Sequence, residues 1–453
     1  MCLPILLPLV LGAKFEAQTQ NRDLMELQQA YAMRFLEPEP HMALAKYYFD
    51  HGKPLEAFHI LEAARRNRFE EKIFNLAFYR AFDGFDNSKA AEDRLLDEYA
   101  RNPNSVETID RLADIYISRE NWPRAKQFLL IAIQKKPDNY RFVAGLAEVL
   151  SREGKLEEAD KLENDYLKKY PESAMGYAMR AEGIMKTKPL EARALLAEAI
   201  KRYPNEGQLL FDLGTIYQSE NKQKAEEAFV KAAELAPRSA LIQSWVGRFF
   251  FKVKPDDRRA LRYYLNAYFL DPHAYETEYV ESRISKIDLR LAAARFDEQT
   301  KAGVSLVGLL DDPNPIVVGL ALEQMEAKWL PSFVGPVVHL MEHEAQGVRW
   351  MATQALKKNV DQSFDEQLKA LLKDEDPRKR GLAAYIAVYR WKKDSFGIIK
   401  SLLSEESQLV RFDALSALLI EGGVEGRQVA LEHAAHESNE TLKKLINAEE
   451  QRQ

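Results

Sequence analysis

The chain has a single cysteine, Cys2. One thiol cannot make an intramolecular disulfide, a cysteine zinc cluster or a CxxCH haem attachment. A long apolar run is also missing. Leu3 to Ala13 holds 11 apolar-biased residues broken by Pro4 and Pro8, whereas a helix that crosses a membrane needs about 20. The length suits the core of a secretory signal, with Gly12 and Ala13 as small residues near a cleavage point. Against that, no positive charge precedes it, Leu11 fits such a point poorly, and Cys2 stands before the run rather than at a lipoprotein position. Residues 1–17 therefore read as a signal-like or disordered apolar terminus. Two locations stay open: periplasmic or secreted, in a bacterial envelope, or cytoplasmic. Strong charge of one sign is lacking too. With 64 Lys and Arg against 70 Asp and Glu, the net charge is −6, so no basic stripe is available to neutralise phosphates and nucleic acid is not an expected partner.

Catalytic patterns are equally scarce. There is no phosphate loop, no Ser-His-Asp order and no H-E-x-x-H. His339 and His343 are four apart beside Glu342 and Glu344, and His433 and His436 are three apart beside Glu432 and Glu437. Two ligands on one helix do not make a metal site, and these read as solvated helix ends. Neither an enzyme nor a cofactor or metal is expected. Hydrophobic residues at 46% and charged residues at 30% fit a folded chain rather than a disordered one.

What the chain does have is repetition. Ala57, Ala91, Ala125, Ala159, Ala192, Ala225 and Ala260 follow one another at spacings of 33 to 35. Twelve residues after six of them comes a proline: Pro103, Pro137, Pro171, Pro204, Pro237 and Pro272, with Phe69 in that place in the first unit. About twelve residues before them stand small residues, Ala45, Ala113, Ala147, Ala181, Gly214 and Gly247, with Tyr79 the exception. Three further on come Tyr48, Phe82, Tyr116, Leu150, Ile184, Tyr217 and Phe250. This order predicts pairs of amphipathic helices. Small residues at the crossing let the axes approach closely, the large residue fills the space left open, and proline ends the second helix. Ser105, Asn139, Ser173 and Ser239 are placed to cap the helices that follow.

In these residues the chain resembles the tetratricopeptide repeat family, over seven units spanning 38–274. Residues 18–37 read as a capping helix, and 275–299 as a bridging helix. The resemblance implies a right-handed helical-hairpin solenoid whose first helices line a concave groove. Carried onto this chain, the groove places hold Met42, Lys46, Phe49, Leu76 and Arg80 at the amino end. The middle holds Glu107, Asp110, Asp114, Glu148, Arg152 and Glu182, and the far end Phe211, Arg248, Phe251 and Lys252. The family's chaperone-tail pocket uses Lys and Asn where this chain has Asp114, Glu148 and Glu182, so that pocket is not expected. The implied occupant is a peptide or helix of another protein, basic in its middle, with Phe49, Phe211 and Phe251 as apolar anchors.

Beyond residue 300 the period becomes 31. Leu309, Leu340, Leu371 and Leu402 show it, as do Ala321, Ala352, Ala383 and Ala414, and Val318, Arg349, Arg380 and Arg411. An acidic turn separates leucine from arginine in each unit. These residues resemble the HEAT-like repeat family over 300–424, with 425–453 as cap and tail. The resemblance implies a structural ladder between acid and arginine, with Asp374 and Arg380, and Glu405 and Arg411, as candidates; Val318 departs from it. Trp350, Tyr385, Tyr389 and Trp391 are candidate surface contacts on the second helices. Two enzyme-related families share such repeats. The iron-dependent deoxyhypusine hydroxylase type needs His-Glu after the arginine, where this chain has Trp350-Met351, Gly381-Leu382 and Phe412-Asp413. The phycobilin lyase type leaves open an accessory role in cofactor or tetrapyrrole chemistry as the alternative to an interaction scaffold.

Overall fold

The computed structural model describes residues 23–66, 89–270, 277–434, 436–439, 442–443 and 446. The terminal run 1–17 with Cys2, the groove candidates Leu76 and Arg80, and Phe69, Tyr79, Phe82 and Pro272 lie outside these residues. Among the described residues all regular structure is helical, and no helix is long and apolar enough to cross a membrane. The chain divides into two compact units. One is continuous, Phe82–Asp288; the other is discontinuous, Met1–Ala81 with Leu289–Gln453.

In the continuous unit, each helix packs on the next in chain order, from Lys89–Arg101 through Val106–Ser118 and Trp122–Lys135 to Asp257–Leu270. The expected caps form. Ser105 accepts from Thr108 N, Asn139 from Arg141 N, Ser173 from Gly176 N and Ser239 from Ile242 N, each satisfying an orphan donor of a first turn. The repeated alanines are the crossing points: Ala125, Ala192, Ala225 and Ala260 are wholly buried. Tyr116 stacks on Phe128 with ring centres 5.6 Å apart, and Phe250 on Tyr263 at 5.8 Å. Two first helices approach closely enough to need glycine. A Cβ on Gly214 would meet the Phe229 ring at 2.8 Å, and one on Gly247 the Tyr264 ring at 2.9 Å. Ala125→Leu is expected to overpack one crossing and cost about 1–3 kcal/mol. Because each repeat touches only its neighbours, faster hydrogen exchange should stay within 106–173; uniform acceleration across the unit would contradict this.

The discontinuous unit joins two stretches far apart in sequence. Its second array alternates short first helices with longer second ones: Val334–His339 with Gln346–Asn359, Asp365–Leu371 with Pro377–Trp391, and Phe396–Leu402 with Gln408–Glu421. Only a single 3₁₀ turn, Gly308–Asp311, precedes Pro315–Ala327. A helix over 23–33 and the hairpin Pro38–Asp50 and Pro54–Arg66 pack with this array. Phe35 lies against Phe412 at 5.4 Å, Leu36 N donates to Gln408 Oε1 at 2.9 Å, and Ser407 Oγ donates to Ala32 O at 2.8 Å. The first hairpin, expected from spacing to open the 38–274 array, is therefore grouped with residues beyond 289. The cause is apolar burial: Tyr31, Phe35, Leu36 and Tyr48 are all enclosed, and each such side chain contributes roughly 1.5–3 kcal/mol when removed from water.

The arginines of the second array are structural, but their carboxylates are not those within their own repeat. Arg380 Nη1 donates to the backbone oxygens of Asp374 and Glu375, at 2.7 and 3.0 Å, while its Nη2 reaches Glu405 of the next repeat at 2.6 Å. Arg411 does the same with Glu405 O and Glu406 O, and reaches Glu437 at 3.1 Å. Arg349 holds His343 O and Glu344 O, both at 2.7 Å. Where Val318 breaks the pattern, Arg295 of the preceding helix donates to Asp312 at 2.6 Å.

Candidate functional site

Along the continuous unit, the first helices bring a line of carboxylates together. Arg141 spans Asp110 and Asp114 at 3.9 and 3.3 Å, and Arg152 lies 3.7 Å from Glu148 on its own helix. Desolvation and the neighbouring Asp110 push Asp114 up to about 6, against the pull of Arg141. Desolvation and Glu148 raise Glu182. Burial and Glu182 in turn hold Asp212 well above the carboxylate range. Burial is the main cause in all three, and in each an acid on the same or the preceding first helix adds to it. Glu107 lies at the solvent edge, paired with Arg111 at 3.1 Å.

Asp212 was not among the groove places counted from the repeat. It is 2% exposed; one oxygen accepts from Gln208 at 2.9 Å and the other, Oδ2, has no partner among the described residues. Its sequence signal is an acid inside the apolar run Leu209-Leu210-Phe211-Asp212-Leu213. The counted place falls instead on Phe211, which is core: it packs on Phe229 at 5.8 Å and on Trp245 at 6.2 Å. Phe211 is therefore not an exposed anchor. Met42 is likewise buried at 3%. On the same helix Lys46 is ion-paired with Asp50, and Phe49 is exposed. Arg248 lies over the Trp245 ring at 5.0 Å, and Lys252 over Tyr279 at 5.5 Å. Phe251 is half-buried, its ring 6.4 Å from Tyr264.

Of the aromatic candidates in the second array, Tyr385 is core, lying edge-on to Trp350 at 4.9 Å. Trp391 is half-buried, whereas Trp350 and Tyr389 are 38% and 41% exposed. Tyr389 carries Lys357 and Lys392 over its ring at 5.1 and 4.9 Å. A cavity of about 400 Å³ in this unit is bordered by Tyr48, Lys53, His59, Asp311 and His343. No group of three or more His, Cys, Asp or Glu among the described residues is arranged to hold a metal ion. His339 is engaged with Glu342 at 2.5 Å, His343 accepts from Ala345 N at 2.9 Å, and His433 faces Glu437 at 3.3 Å.

Residues 111–174 and 186–240 match the family model of the tetratricopeptide repeat. The chain carries tetratricopeptide repeats. Over 150 residues it is 27% identical to the human protein O-mannosyl-transferase TMTC3; the match covers 31% of this chain and 16% of that protein. The chain thus spans about a sixth of that relative's length. Among solved structures it is similar to Pseudomonas aeruginosa pilF, at 21% identity over 43% of this chain and 93% of that one, with a TM-score of 0.29. It is also similar to YrrB, described as a TPR protein with an unusual peptide-binding site, at 17% identity over 44% and 100% of the two chains, with a TM-score of 0.25.

Proposed function

We propose that the protein is a non-enzymatic scaffold whose tetratricopeptide repeats hold a cationic segment of another protein against the line Asp110, Asp114, Glu148 and Glu182, with Asp212 buried near Glu182. The observation that carries this reading is the placement of these acids on successive first helices, near enough that Asp110 adds to the elevation of Asp114, Glu148 to that of Glu182 and Glu182 to that of Asp212. A cation laid across clustered acids relieves their repulsion, and a focused field speeds its arrival. Exposed charge pairs contribute only about 0–1 kcal/mol each, so apolar contacts such as Phe251 supply the rest. We further propose that residues 300–424 are HEAT-like repeats, and that Trp350 and Tyr389 form a second, smaller contact face. An accessory role in cofactor or tetrapyrrole chemistry has no observation in its favour and is not carried forward.

The test uses a partner captured by the full chain. Reversing Asp110, Asp114 and Glu148 to lysine is expected to slow association and remove its salt dependence while helicity is unchanged. An unaltered rate and salt response would sink the reading. The pH dependence gives a second check. Asp114 is ionised above about 6 and loses its charge as the pH falls through that value, so association should slow between pH 7 and pH 5, less so in Asp114→Asn. A flat profile in the wild type would count against Asp114 as a contact.

A further inference from the structure

Beyond the acidic line, the continuous unit ends in a cluster of opposite sign. The last first-helix, Ala240–Arg248, widens into a π-helical turn, Phe249–Val253. Lys254 N reaches back five residues to Phe249 O at 3.0 Å. Turns of this kind displace side chains from the regular helical face and are frequent at functional sites. This one carries Phe251 and Lys252. Arg283, on Thr277–Lys301, lies 5.0 Å from the Phe251 ring and 4.6 Å from the Tyr279 ring. Tyr264 and Tyr279 face each other edge to face at 6.3 Å.

The polar atoms here are enclosed and unsatisfied. Tyr264 Oη, Tyr279 Oη and Arg283 Nε are buried without a hydrogen bond of full geometry among the described residues, their hydrogen-bonding neighbours there being one another, and the Tyr264 side chain is 0% exposed. Buried donors are rarely left unpaired in native proteins. Burial holds the Tyr264 hydroxyl above its ordinary range. Burial would raise Tyr279 as well, but the approach of Tyr264 and the charges of Lys252 and Arg283 keep it below. Two hydroxyls, one guanidinium edge and one ammonium thus converge, and among the described residues no carboxylate is ion-paired with Lys252 or Arg283. The cluster is also continuous with the acidic line. Phe211, next to Asp212, lies edge-on to Trp245, and Trp245 carries Arg248 over its ring.

We infer that Lys252, Arg283, Tyr264 and Tyr279 form an anion-binding site that takes a carboxylate or phosphate group carried by the bound protein segment. This deepens the scaffold reading and rests on it for the identity of the ligand. The segment would then present cationic residues to the acidic line and an anionic group to this end, in a fixed order along the repeats. A guanidinium edge and hydroxyl donors suit either oxyanion. Three sources share that chemistry: an acidic side chain, a phosphorylated side chain and a terminal carboxylate.

The experiment uses the full chain and labelled synthetic peptides with one common Lys/Arg-rich stretch. Four tails are compared: neutral amidated, Glu-containing amidated, phosphoserine-containing amidated, and neutral with a free carboxylate. At least one anionic tail should bind about tenfold or more tightly than the neutral one, the effect of a charge-assisted hydrogen bond. The preferred tail identifies the source. Lys252→Gln with Arg283→Gln should erase that preference, whereas reversing the acidic line should weaken all four alike and leave the preference in place. Tyr279→Phe, a smaller change, should reduce the preference without altering the fold. Equal binding of all four tails by the wild type overturns the site. So does a single-stranded RNA oligonucleotide bound more tightly than any anionic peptide. If no peptide binds, the scaffold reading fails, and inorganic phosphate then decides the site. A phosphate-dependent rise in unfolding temperature in the wild type, absent from the Lys252→Gln, Arg283→Gln double variant, sustains it, and no rise in either overturns it.

Discussion

Arg349→Leu is expected to destabilise the discontinuous unit by about 3–5 kcal/mol, the usual cost of removing one member of a buried charged network. Arg349 is 4% exposed, and its guanidinium holds two backbone oxygens, of His343 and Glu344. It is also the cation that offsets the charge of Asp413, which is itself enclosed. Leucine fills most of the volume but leaves two carbonyls without a donor and removes the cation that favours ionised Asp413. Urea unfolding measures the loss. Adding Asp413→Asn should recover part of it, because a neutral side chain no longer needs the cation. A midpoint unchanged in Arg349→Leu would show that this arginine is not part of the scaffold's frame.

Asp413 gives the second large effect, a dependence on pH. Burial raises its carboxyl to about 7 against the pull of Arg349, from an ordinary value of 3.8. The folded state therefore keeps a proton that the unfolded state gives up. Stability contributed by this group is complete below about pH 4 and falls as the pH rises toward 7. At about 1.4 kcal/mol per tenfold change in proton affinity, the loss is on the order of 4 kcal/mol. Asp413→Asn should remove this slope, so the stability difference between wild type and variant should shrink or reverse between pH 4 and pH 8. Parallel pH profiles would refute the assignment. Gly381 permits the arrangement, since a Cβ there would come within 2.5 Å of Asp413 Oδ2.

The helices and caps were legible because each is written locally. An alanine, a proline twelve residues later and a serine two beyond that define a crossing, a stop and a cap with no distant information. The acids Asp114, Glu148 and Glu182 were legible for the same reason, since they recur at a spacing of 34, and Asp110 stands one helical turn before the first of them. Asp212 was not, because it lies one place off the counted position, where the large Phe211 ring turns inward against Phe229 and Trp245. Arg283 and Tyr279 escaped for a different reason: they stand on a helix outside the repeats. The pairing of the first hairpin with the second array left no periodic trace at all. It rests on individual contacts such as Phe35 on Phe412. Likewise, the arginine-to-acid ladder was visible as a pattern, but its register, with Arg380 reaching Glu405 and Arg411 reaching Glu437, depends on side-chain length and turn geometry.

The discontinuous unit also bears on how the chain is made. Leu36 and Gln408, which share a hydrogen bond, are 372 positions apart. At ribosomal speeds of roughly 5–20 residues per second, about 20–75 s separate the emergence of the two. Throughout that interval Tyr31, Phe35 and Leu36 lack the surface that later encloses them, while the stretch 89–270 already has its successive partners alongside. The nascent polypeptide therefore offers chaperones an apolar handle, and its helices over 23–66 reach their final packing later than those of 89–270.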